Sequence, residues 1–239
     1  MAAILTFKRV EKKYLMDEAT YLKIREAFEP YMQVDEYGLH TICNIYYDTL
    51  AYDLIRTSLD KPIYKEKLRL RSYGVPKNPT SKVFVEIKKK YDGVVYKRRI
   101  QLPKDEAEAL LNERKLPQTD SQILHEIDYF LSYYKPVPKL FLAYDRIAMF
   151  GKEDPDFRLT FDQNIRSRET DLDLGLGDRG DLLFPDQKLY LMEVKINGAM
   201  PLWLSGILTE LKVMPVSFSK YGTIYKNKIS GIVDLTETD

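Results

Sequence analysis

Cations that recur on every second residue, in several separate stretches, are the chemistry-bearing feature of this 239-residue chain. In Lys67-Leu68-Arg69-Leu70-Arg71 the alternation is strict, and Glu86 with Lys88, then Lys97 with Arg99, repeat the spacing. A strand sends alternate side chains to opposite faces, so Lys67, Arg69 and Arg71 share one face while Leu68 and Leu70 share the other. The same device returns as Glu11 with Lys13, as Arg146, as Arg158 with Thr160 and Asp162, as Glu193 with Lys195, and at Lys220. Two like charges about 6 Å apart repel by roughly 3 kcal/mol at an effective dielectric of about 20. Lining up cationic strands therefore gains a fold nothing, and an anion between them reverses the sign. Arginine suits phosphate because its planar fork donates two parallel hydrogen bonds. Carboxylates in that company suit a hard divalent cation, which phosphate oxygens also coordinate. The chemistry indicated is the binding of a polyanion with several phosphates together with Mg2+ or Mn2+. Phosphoryl transfer needs little more than such positioning and charge neutralisation. On any single strand a solvated charged face explains the pattern equally well; its recurrence on several strands argues for a ligand.

The charge is concentrated. Residues 61–99 hold thirteen Lys or Arg against Glu66, Glu86 and Asp92, whereas the whole chain is +1 at pH 7. The single cysteine, Cys43, excludes an internal disulfide and a cysteine-based zinc site. His40 and His125 lack metal-ligand spacing, and no Ser-His-Asp or Cys-His set stands out. Gly175, Gly177 and Gly180 fall in a G-x-G-x-x-G spacing, but no helical pattern follows at once, so they read as loop. No run approaches the ~18 apolar residues of a membrane span, which points to a cytoplasmic protein that could still work beside a membrane-bound partner.

The elements that must position these residues follow from periodicity. The spacing predicts a first strand over residues 7–15 and a helix from an Asp17 cap to Phe28, with Tyr21, Leu22, Ile24 and Phe28 inward. A strand follows over residues 39–47 and a short helix over 49–59. Strands near 64–73, 82–90 and 94–102 form the basic region, with Tyr91-Asp92-Gly93 as the turn between the last two. Helices are expected over 104–116 and 121–134, strands near 139–149, 157–163 and 189–195, and a helix opened by Pro201 with Leu202, Leu204, Ile207, Leu208 and Leu211 buried. Residues 217–221, with Lys220, close the patterned region. The fold class expected is α+β: an antiparallel β-barrel of about eight strands, with a charged lumen and helices outside, in one domain.

Several stretches in this order carry a resemblance: Glu11-Lys12-Lys13-Tyr14, Ser58 to Pro62, Glu66 to Tyr73, Val83 to Lys88, Tyr96 to Arg99, Met192 to Lys195 and Phe218 to Tyr221. Over about residues 6–226 the chain resembles the VTC domain, the polyphosphate polymerase domain of the CYTH or triphosphate tunnel metalloenzyme superfamily. The resemblance implies a metal-dependent tunnel enzyme that moves the γ-phosphate of ATP onto a growing polyphosphate chain and releases ADP. It implies phosphate contacts from Lys13, Lys67, Arg69, Arg71, Lys88, Lys97, Arg99, Arg146, Arg158, Lys195 and Lys220, with Arg69, Arg71, Lys97, Arg146 and Arg158 nearest the transfer. Glu193 is the implied principal ligand of Mn2+ or Mg2+, with Glu11 and Glu86 as further candidates. Many superfamily members carry Glu-x-Glu-x-Lys in the first strand; here Arg9 replaces the first glutamate, which favours the polymerase branch. A triphosphatase in the same barrel and a non-catalytic module binding polyphosphate or RNA remain alternatives. The carboxylates on the cationic faces argue against nucleic acid, since they repel its phosphates unless a metal intervenes.

Overall fold

The computed structural model describes residues 9–118 and 121–229. Nine strands share one hydrogen-bonded sheet: β1 (Arg9–Asp17), β2 (Met32–Asp48), β3 (Tyr64–Tyr73), β4 (Lys82–Tyr91), β5 (Val94–Pro103), β6 (Val137–Gly151), β7 (Arg158–Arg168), the two-residue β8 (Asp181–Leu182) and β9 (Leu189–Asn197). Their order is β1-β9-β7-β6-β2-β3-β4-β5, with β8 paired to β7. Six α-helices accompany them: α1 (Glu18–Phe28), α2 (Asp53–Leu59), α3 (Lys104–Glu113), α4 (Gln122–Tyr134), α5 (Leu202–Glu210) and α6 (Lys220–Ile224). This is the antiparallel α+β class expected from the sequence. Among the described residues no helix is long and apolar enough to cross a membrane.

The chain forms two compact units. Among the described residues one is drawn from 9–40, with Tyr144–Ile165 and Phe184–Phe218; the other takes Thr41–Ala143, Arg166–Leu183 and 219–229. Strands β2, β6 and β7 contribute to both. In the first unit Asp17 caps α1 by accepting a hydrogen bond from the Thr20 amide at 2.8 Å, satisfying one of the free amides of the first turn. Tyr21, Ile24 and Phe28 then face a core completed by Phe161, Met192, Val194, Leu204 and Leu208. Trp203 of α5 is stacked on Tyr31 at 4.5 Å and meets Phe28 edge-on at 5.4 Å. In the second unit α3 and α4 cover Leu68, Leu70, Val83, Val85 and Ile87, all 1% exposed or less. Ser121 caps α4. The turn between β4 and β5 has Asp92 and Gly93 both at positive φ, 42° and 79°, as a tight hairpin between twisted strands requires.

Several expectations need correction. β2 begins at Met32, seven residues before the expected strand. Its first half, with Asp35, Glu36 and Gly38 at φ 55°, has the composition of a loop but is held in the ladder. Helix α2 starts at Asp53 instead of Thr49, and α3 stops at Glu113, where Arg114 turns left-handed at φ 56°. Leu22 is 58% exposed because it lies beside the Tyr21 stripe, not on it. Pro201 caps α5 from outside, so Leu204 and Leu208, one turn apart, point inward and Leu202 is 88% exposed. Ile207 and Leu211 are half-buried against the core. Lys220 opens helix α6 and is not on a strand.

Candidate functional site

Register turns the alternating cations into rows. Across β2, β3, β4 and β5 one row reads Tyr46, Arg69, Glu86, Arg99. The next row reads Lys67, Lys88, Lys97 across β3, β4 and β5: three adjacent lysines with no acid among them. The row on the other side has Asn44 opposite Arg71. All lie in the second unit, on the sheet face opposite the α3 and α4 core.

Glu86 holds this array together. It is 1% exposed, and its carboxylate meets Arg69 at 2.6 Å, Lys97 at 2.9 Å, Arg71 at 3.8 Å and Arg99 at 4.0 Å. Burial by itself pushes a carboxyl pKa up; Arg69, then Arg71 and Lys97, outweigh it and hold the group down at about 2. Lys97 shows the converse. Burial lowers its ammonium to about 8, helped by Arg69 and Arg71 and opposed by Glu86, although 42% of its side chain is exposed. Tyr46 is buried, and its hydroxyl accepts a hydrogen bond from Arg69 Nη1 at 3.1 Å. Burial raises the phenol, but Arg69, Arg71 and Lys67 together bring it down to about 8. Asn44 Oδ1 accepts from Arg71 Nε at 2.8 Å while its amide donates to the Leu142 carbonyl. Arg71 is thus held at Nε, and its Nη1 lies 3.8 Å from Glu86.

Further along β2 on this face, buried Asp48 accepts hydrogen bonds from the amides of Thr49, Leu54 and Ile55 and from the Tyr221 hydroxyl at 3.0 Å. It caps α2 and ties down Tyr221, whose ring lies 4.8 Å from that of Tyr46 and 6.0 Å from Lys67 Nζ. Ser219 caps α6, which sets the starting point of Lys220.

The first unit carries its own rows. Across β7, β9 and β1 one reads Arg158, Lys195, Glu11 and the next Thr160, Glu193, Lys13. Asp162, fully buried, takes both arms of Arg146, at 2.6 and 2.7 Å. Arg146 Nη2 also reaches Glu193 at 3.2 Å. Lys13 Nζ lies 3.4 Å from both Glu11 and Glu193 and donates to the Phe218 carbonyl at 3.0 Å. Burial opposes the charge on Arg146, but Asp162 foremost keeps its guanidinium protonated far beyond the ordinary range. The Thr160 hydroxyl is buried without a hydrogen-bond partner among the described residues, a state that costs about 1–3 kcal/mol.

Glu11 and Glu193 thus converge on one ammonium, and they are the pair that could hold a divalent cation. Among the described residues no group of three or more His, Cys, Asp or Glu is arranged to hold a metal ion. Two carboxylates still fit Mg2+ or Mn2+, which commonly complete their shells with water and substrate phosphate. Glu86 has different company: four cations surround it. Of the expected phosphate ligands, Lys67, Arg69, Arg71, Lys88, Lys97 and Arg99 gather in the second unit, and Lys13, Arg146, Arg158 and Lys195 in the first. Asn44, Tyr46 and Asp48 were not singled out from sequence. They alternate with buried Cys43, Ile45 and Tyr47, and that spacing was the available signal. The G-x-G-x-x-G residues lie in the loop after β7, where Leu174–Leu176 form a 3-10 turn and Gly180 packs on the Ser167 backbone.

Fold and face together define an antiparallel α+β protein whose sheet carries ordered cation rows braced by buried carboxylates. The chain belongs to the VTC domain family, which matches residues 8–227 and so spans both units. Its fold is similar to that of a candidate adenylate cyclase from Bacillus halodurans, at a TM-score of 0.55 and 15% identity, covering 89% of this chain and 95% of that one. A candidate adenylate cyclase from Vibrio parahaemolyticus matches at a TM-score of 0.50 and 15% identity, covering 92% and 98%. No curated protein sequence matches the chain.

Proposed function

We propose that this chain is a metal-dependent polyphosphate polymerase, transferring the γ-phosphate of ATP to a polyphosphate chain and releasing ADP. The observation that carries the reading is the lysine row Lys67-Lys88-Lys97 beside Arg69 and Arg71, all on one face, with Glu86 holding Arg69, Arg71 and Lys97. Such a face repels itself until a multiply charged anion arrives. In this reading Arg69, Arg71 and Lys97 of the second unit, and Arg146 and Arg158 of the first, are the cations that neutralise phosphoryl charge. Lys13, Lys67, Lys88, Arg99, Lys195 and Lys220 hold the flanking phosphates. Glu193 and Glu11 would hold Mn2+ or Mg2+, which when bound neutralises phosphate charge and draws triphosphate into line. Glu86 serves as the counter-charge that keeps Arg69 and Lys97 extended.

The state of the carboxylates favours a phosphate acceptor over water. Glu11, Glu86, Asp162 and Glu193 are each ion-paired. Glu86, held at about 2, is a poor base. A polyphosphate terminus is already ionised and attacks without giving up a proton, whereas water must lose one in the course of the reaction. The test is incubation with ATP and Mn2+. ADP accompanied by long acid-labile phosphate chains supports the polymerase; free phosphate without chains supports a triphosphatase; binding without turnover supports a non-catalytic module.

A further inference from the structure

Thr160 is 8% exposed, and its hydroxyl is without a hydrogen-bond partner among the described residues. Its neighbours are not in that position. Glu193, directly across the ladder, is engaged by Lys13 and Arg146, and Asp162, two residues along the same face, is engaged by Arg146. Packing does not call for a hydroxyl here, since valine has the same shape and the core side of this strand is served by Leu159 and Phe161, 0% and 2% exposed. Buried polar groups in folded proteins are almost always satisfied, so an orphan beside a candidate ligand carboxylate marks a partner that arrives with the ligand.

Resting on the function proposed above, we infer that Thr160 is a ligand-binding residue. Its hydroxyl makes a hydrogen bond with an oxygen brought in by the ligand at Glu193, either a phosphate oxygen or a water carried by the divalent cation. A hydroxyl can serve both, donating to phosphate or pairing with water in either direction. A side chain that only donates would add a charge to a face already rich in cations.

The experiment compares Thr160→Val and Thr160→Ser with the wild-type chain in three measurements. These are tripolyphosphate affinity in EDTA by calorimetry, Mn2+ affinity without phosphate by electron paramagnetic resonance, and the thermal midpoint without ligand. Thr160→Val should melt at the wild-type temperature or above it, because an unsatisfied buried group has been removed. Its affinity should nonetheless fall about tenfold, the loss of one hydrogen bond to a charged partner. Thr160→Ser should retain wild-type affinity. A loss seen with tripolyphosphate in EDTA assigns the phosphate oxygen; a loss seen with Mn2+ alone assigns the cation's water. Unchanged affinity for both, or a Thr160→Val chain that melts lower and binds less in proportion, would overturn the inference. If the wild-type chain makes no polyphosphate, the polymerase reading fails while this binding comparison still decides the role of Thr160.

Discussion

Arg69 grips Glu86 through a single carboxylate oxygen: Nε and Nη2 both reach Oε2, at 2.8 and 2.6 Å. The second oxygen is left to Lys97, at 2.9 Å. One buried acid thereby sets the direction of two cations on different strands. Glu86→Gln should destabilise the chain by about 3–5 kcal/mol, the usual cost of removing one partner from a buried ionic group. Urea unfolding would measure it; a loss under about 1 kcal/mol would show that the cations find other partners.

The same group predicts an acid limit. Although burial raises it, the Glu86 pKa is depressed in the fold, to about 2 from its ordinary 4.5, by Arg69, Arg71 and Lys97. Its contribution is therefore complete above the unfolded value and lost as pH falls through the folded one. That contribution is on the order of 3 kcal/mol, and Glu86→Gln should flatten the decline in stability between about pH 4.5 and 2. A variant that keeps the wild-type slope would point to other carboxylates.

Lys97 predicts the response on the alkaline side. With its ammonium lowered to about 8, the side chain is partly neutral near that pH. An arriving polyanion favours the charged form, so binding near pH 8 should take up protons, and affinity should fall as pH rises further. Tyr46, also at about 8, adds to the uptake in the same direction. Calorimetry of tripolyphosphate binding in two buffers of different ionisation enthalpy measures this. Lys97→Met should remove the Lys97 part of the uptake and leave the Tyr46 share.

Turnover should separate from folding at two positions. Arg69→Ala and Glu193→Ala are each expected to abolish ADP formation while circular dichroism stays that of the wild type. Retained activity in both would sink the site assignment. Arg69→Ala still leaves Glu86 with Lys97, Arg71 and Arg99, whereas Arg146→Ala leaves Asp162 charged and fully buried with its fork partner gone. A loss of about 3–5 kcal/mol in stability is expected there.

Asp48 is the fifth test. Asp48→Ala deprives two α2 amides, Leu54 and Ile55, together with the Thr49 amide and the Tyr221 hydroxyl, of their acceptor. A stability loss of about 3 kcal/mol follows from a lost cap plus buried donors left unpaired. Polyphosphate affinity should drop with it if Tyr221 positions Lys67 and Tyr46.

The strand faces were legible because a period of two is written directly in Lys67, Arg69 and Arg71 and in the leucines between them. The β4–β5 hairpin was legible because Asp92 and Gly93 tolerate the positive φ that a two-residue turn demands. Both are local facts. The surroundings of Glu86 are not local: its partners come from β3 and β5, and no spacing within β4 distinguishes a carboxylate awaiting a metal from one already surrounded by arginine and lysine. Lys220 was misplaced for a related reason. Ser217 to Tyr221 alternates well enough for a strand, and only the Ser219 cap and the Tyr221–Asp48 hydrogen bond turn it into a helix.

Trp203 is the sole tryptophan of the chain, and it sits entirely within the first unit, against Tyr31, Phe28 and Phe157. Its emission therefore witnesses the melting of that unit and is blind to the other, whose aromatic signal is tyrosine. Optical traces that coincide with backbone ellipticity would make the molecule a single cooperative body; traces that part company would make it two, each with a free energy of its own.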